Sequence, residues 1–129
     1  RPRAVRCVHP LVTLIEKLDA IGRRFHDDAR DAAGFVRHYE DAARIIEALD
    51  RLPQVEGGAL ALVAEMLDSK EIKGLLSPSD DALTPSESDR WRQVQRAYDA
   101  TERMFSGPRV GLDQACERTH TWLASVPRR

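Results

Sequence analysis

The chain has 129 residues, of which 42% are apolar and 32% charged, yet its net charge is only −1. That is the length of one ordinary domain, and the near-neutral balance excludes a global basic field that would draw in nucleic acid or an anionic membrane. No apolar run approaches the ~20 residues of a membrane span and no signal peptide is visible, so a cytoplasmic protein without a membrane role is expected.

Aromatic residues make up only 5% of the chain, which suits a thin helical core better than a thick sheet sandwich. Cys7 and Cys116 lack the spacing of a zinc pair or a redox motif. They read as buried or idle thiols of a reducing compartment, with a single long-range disulfide as the alternative. The opening Arg1-Pro2-Arg3, without a methionine, reads like the middle of a longer protein.

Residues 1–9 form an extended lead-in in which Ala4-Val5-Arg6-Cys7-Val8 alternates like a short edge strand. Pro10 suits the first turn of a helix, and Leu11, Leu14, Ile15, Leu18, Ile21 and Phe25 recur at helical spacing. The acidic cluster Asp27, Asp28 and Asp31 marks a turn and the next helix start. A second helix is expected over about 29–52, with Phe35, Val36, Tyr39, Ala42, Ala43, Ile46 and Leu49 on its apolar face and Pro53 as its stop. A weaker third helix follows Gly57-Gly58, over about 59–68, and Ser77 to Asp81 reads as a loop. Thr84-Pro85-Ser86-Glu87 predicts a capping box that opens a fourth helix, with Trp91, Val94, Tyr98 and Phe105 on one face. Gly107-Pro108 ends it, and a fifth helix carries Leu112, Ala115, Cys116, Thr119, Trp122 and Leu123. The expected fold is all-α: a bundle of about five helices in one domain over 1–129, with at most one short N-terminal strand.

The short connection between the first two helices predicts an antiparallel hairpin. At 100° per residue, Lys17 and Arg24 share one flank of the first helix, and His38, Asp41 and Arg37 fall on the matching flank of the second. Packed through their apolar faces, the two helices would bring all five to one side. Lysine offers a point charge and arginine a planar fork, and both suit phosphate oxygens. The plainer alternative is a solvated helix flank in which Arg37 and Asp41 form a surface ion pair worth under ~1 kcal/mol. His9, His26, His38 and His120 show no metal-site spacing, and there is no Gly-rich phosphate loop.

The run from Val8 to Leu18, in which Pro10 opens a helix bearing Lys17, resembles a segment of the AbiEii/AbiGii-type nucleotidyltransferase toxins, the toxin half of type IV toxin–antitoxin systems. Arg37-His38-Tyr39-Glu40-Asp41 resembles the Arg-His-Tyr-x-Asp signature of the same family. Trp91 through Met104 is similar to its penultimate helix, and the helix from Leu112 to its closing one. The resemblance implies that Lys17 contacts a nucleoside triphosphate, that Asp41 belongs to the same catalytic cluster, and that Arg37 and His38 support them. It also implies Mg²⁺ in the intact enzyme, an RNA acceptor such as tRNA, and a cognate antitoxin. The family's Gly-Ser motif and paired acidic residues, which hold magnesium, have no counterpart in these 129 residues. Two-metal phosphoryl chemistry needs such carboxylates. The chain therefore reads as the C-terminal helical part of a nucleotidyltransferase whose N-terminal domain supplies them. The competing expectation is a non-enzymatic interaction module, with a large exposed apolar patch and Lys17 standing apart from Asp41.

Overall fold

The computed structural model describes residues 9–52, 57–101 and 109–126. Among them are five α-helices: α1 (Pro10–Phe25), α2 (Arg37–Ala48), α3 (Gly58–Asp68), α4 (Asp89–Ala100) and α5 (Leu112–Ser125). Three short 3-10 turns, Ala32–Gly34, Leu49–Arg51 and Asp81–Leu83, join them, and no strand occurs among the described residues. The all-α expectation holds. The lead-in strand at 4–8, the Pro53 stop, Phe105 and the Gly107-Pro108 break lie outside the described residues. No helix among the described residues is long and apolar enough to cross a membrane.

Helix α1 begins where Pro10 indicates. His9 is its N-cap, and its ring Nδ1 accepts the Leu11 N–H at 3.0 Å. Leu14, Ile15, Leu18 and Ile21 are fully buried along one face, each worth roughly 1.5–3 kcal/mol relative to exposure. That face packs on Phe35, Val36, Tyr39, Ala42 and Ala43 to make the centre of the core. Helix α5 covers the other side of α2, α3 lies against α1, and α4 packs on the 32–34 turn. The chain 72–76 runs closely over α1 at Gly22, where a Cβ would meet Leu76 Cδ2 at 2.7 Å.

Two helix starts differ from expectation. The second helix begins at Arg37, not near residue 29. Asp27 and Asp31 turn their carboxylates onto the Ala29 and Ala33 N–H groups, which favours local turns over a helix ladder. Asp31 thereby caps a 3-10 turn that ends at Gly34. Phe35 and Val36 are buried nonetheless, and so the apolar period runs on through the turn. At the other end the α-helix stops at Ala48, and residues 49–51 tighten into a 3-10 turn.

The fourth helix begins at Asp89 rather than Pro85. Ser88 is its N-cap, with Oγ accepting the Trp91 N–H at 3.2 Å. Thr84 instead donates its hydroxyl to the Asp80 carbonyl at 3.0 Å and closes the 81–83 turn.

Candidate phosphate-binding site on the first hairpin

Helices α1 and α2 pair in opposite directions: Lys17 meets Asp41, and Arg24 meets His38. Lys17 Nζ donates to Asp41 Oδ2 at 3.1 Å, with side chains 23% and 46% exposed. An ion pair this wet is worth under ~1 kcal/mol, so it contributes little to the fold and leaves the ammonium accessible.

Arg24 Nη1 lies 3.3 Å from His38 Nε2. A guanidinium has no acceptor, so the imidazole nitrogen must accept and His38 must be neutral, with its proton on Nδ1. Burial, then the Lys17 and Arg24 charges, hold the His38 pKa below the usual 6.5, while Asp41 pulls the other way. Arg24 Nε and His38 Nδ1 are both buried N–H donors without a hydrogen-bond partner among the described residues. An unmade bond to a buried donor costs about 1–3 kcal/mol.

Four of the five expected site residues thus meet on one flank of the hairpin. Arg37, the first residue of α2, is exposed and takes no part in the two contacts that join Lys17 to Asp41 and Arg24 to His38. The flank thus gathers two fixed cations, one imidazole and one carboxylate, a set whose chemistry can hold an oxyanion.

No protein-family model, curated protein or solved structure matches this chain.

An open groove of about 860 Å³ lies elsewhere, between the 79–85 segment and α5. Asp113 and Glu117 line it, and two carboxylates repel a polyphosphate. No group of three or more His, Cys, Asp or Glu side chains among the described residues is placed to hold a metal ion.

Sequence reasoning passed over three polar centres that fix the hairpin, the buried Glu40 and Asp19 and the half-buried Arg90. Glu40 accepts from Arg109 Nη2 at 2.7 Å, from Arg44 Nη2 at 3.0 Å and from the Val110 N–H at 3.1 Å. Burial alone would raise its pKa, but these donors outweigh burial and hold it below 4.5. Asp19 accepts the Lys73 and Gly74 N–H groups on one oxygen and Arg23 Nε on the other. Arg90 donates to the carbonyls of Arg24, Phe25, Asp27 and Arg30. Its guanidinium also lies 5.2 Å from the centre of the Phe35 ring. This cation at the C-terminus of α1 satisfies carbonyls the helix leaves open and faces the negative end of its dipole.

The other singled-out residues are structural. Trp91 is buried, 5.2 Å from the Phe25 ring, and its Nε1 donates to the Asp81 carbonyl. Tyr98 is buried and its hydroxyl donates to the Val110 carbonyl. Trp122 is partly buried against the core. His26 pairs with Asp80 at 2.8 Å, and His120 Nδ1 reaches the Pro78 carbonyl at 2.7 Å. Cys116 is a buried free thiol, and burial pushes its pKa up to about 12. Cys7 lies outside the described residues.

Proposed function

We propose that the α1–α2 hairpin is the phosphate-facing half of a nucleotidyltransferase active site, in a toxin of the AbiEii type. Lys17 and Arg24 neutralise the triphosphate of an NTP, Asp41 holds and orients the Lys17 ammonium, and His38 and Arg37 support them. The observation that carries this reading is the Lys17–Asp41 contact at 3.1 Å, made across two helices from the family-like segment and the family-like signature. An interaction module would instead expose a large apolar patch. Among the described residues only Leu60 and Leu67 are large apolar side chains with substantial exposure.

The Mg²⁺ such chemistry uses does not fit the described residues. They offer no three-ligand group, and Asp41 is engaged by Lys17. Carboxylates of an N-terminal nucleotidyltransferase domain would have to hold it. An RNA acceptor, with tRNA the first candidate, and a cognate antitoxin belong to the same proposal.

The test is toxicity of the full-length protein in cells. Lys17→Ala and Asp41→Ala should each abolish it while the purified variants keep a cooperative melt and wild-type helicity. Full toxicity in both variants overturns the assignment.

A further inference from the structure

In the free protein the Arg24 guanidinium occupies the Nε2 lone pair of His38, which keeps the imidazole neutral between two fixed cations. The groups facing that ring are Lys17 and Arg24 from α1 and Asp41 from its own helix. Lys17 and Arg24 oppose a third positive charge, and Asp41, already paired with Lys17, offsets them only in part. An oxyanion arriving at this flank competes for the guanidinium, because charge-assisted bonds to phosphate are stronger than a bond to a neutral ring nitrogen.

We propose that phosphate binding at the hairpin is coupled to protonation of His38: the oxyanion draws the Arg24 guanidinium off Nε2, and that nitrogen takes one proton from solvent. The site then holds its anion with three cations instead of two. This rests on the reading of the flank as a phosphate-binding surface and assigns its regulation. Two observations carry it. The contact between Arg24 and His38 is a hydrogen bond only while the ring is neutral, so it opposes protonation in the free state. Among the described residues, the second ring nitrogen and Arg24 Nε are buried donors with no acceptor, and both are placed to donate to an oxyanion at this flank.

The sign follows from linkage. In the free protein His38 titrates below 6.5, because burial and then Lys17 and Arg24 disfavour the imidazolium. A bound anion favours the imidazolium and raises that midpoint. Affinity is therefore highest at pH below the free midpoint, falls as pH rises between the two midpoints, and levels off above the bound one.

The experiment follows the His38 ring resonances by NMR across pH 5 to 8, identified by their absence in His38→Gln, with and without saturating inorganic triphosphate. The midpoint should rise by about one unit, which corresponds to roughly tenfold tighter binding at the acid end. Calorimetry in buffers of different ionisation enthalpy should show more proton uptake for wild type than for His38→Gln, a difference that removes the ligand's own titration. Binding with an unmoved His38 midpoint and equal proton uptake in both proteins overturns the coupling and leaves the phosphate site standing. Absence of any triphosphate binding overturns both.

Discussion

Glu40 and Arg109 form a two-point ion pair: the guanidinium places Nη2 at 2.7 Å and Nε at 3.2 Å from one carboxylate oxygen. Side chains only 5% and 12% exposed join α2 to the segment that leads into α5. Breaking such a pair strands a buried charge, which costs about 3–5 kcal/mol. Glu40→Ala should lower the unfolding free energy obtained from urea denaturation by that amount. The pair also sets an acid limit. The folded carboxyl titrates below 4.5, so its stabilisation is complete above that pH and is lost as pH falls through the folded value. Glu40→Ala should flatten the pH dependence of unfolding there.

Arg90 gathers four carbonyls from the end of α1 and the following turn. A lysine keeps the charge but not the fork. Arg90→Lys and Arg90→Ala should both destabilise thermal unfolding, Arg90→Ala by about 2–3 kcal/mol, with Arg90→Lys recovering less than half.

Lys17 and Asp41 separate binding from folding. Their exposed pair contributes under ~1 kcal/mol, so Lys17→Ala and Asp41→Asn should melt within a few degrees of wild type. Lys17→Ala should weaken inorganic triphosphate binding about tenfold. Asp41→Asn removes the charge that fixes the ammonium but also a charge that repels the anion, so binding should weaken less than in Lys17→Ala. Binding as tight as wild type or tighter in Asp41→Asn would refute Asp41 as the orienting group.

Burial and the elevated thiol pKa make Cys116 inert. In a Cys7→Ser background, Ellman's reagent should find no thiol in the native protein at pH 8 and one after denaturation. Fast native labelling would contradict the packing of α5.

Ser88 decides where α4 starts. Ser88→Ala should cost about 1 kcal/mol through the lost cap on Trp91. Glu87→Ala should cost almost nothing, because the box expected between Thr84 and Glu87 does not open this helix. The comparison also shows what was legible in the sequence. Periodicity located four of the five helices among the described residues, because burial of Leu14, Tyr39 and Trp91 follows helical spacing, and the alanine- and leucine-rich run after Gly57-Gly58 marked the other. Boundaries were less legible, because Asp31 and Thr84 serve local turns where the pattern alone suggested caps. Helical geometry placed Lys17, Arg24, His38 and Asp41 on one flank, since that needs only two helices and an apolar seam. Glu40 was passed over because its partner Arg109 is distant in sequence, and nothing local marks a buried carboxylate.

The Arg90 contact has a consequence for the order in which the protein matures. The last turn of α1, including the Arg24 backbone that presents the guanidinium to His38, is pinned by a residue more than sixty positions later. On a ribosome the first hairpin emerges before α4, and its end stays unsecured until α4 has been synthesised. Contacts of such long sequence separation form late and slowly. The flank that carries Lys17 and Arg24 therefore reaches its final geometry only after Arg90 has been made, and nascent chains that stop before Arg90 carry its residues without that geometry.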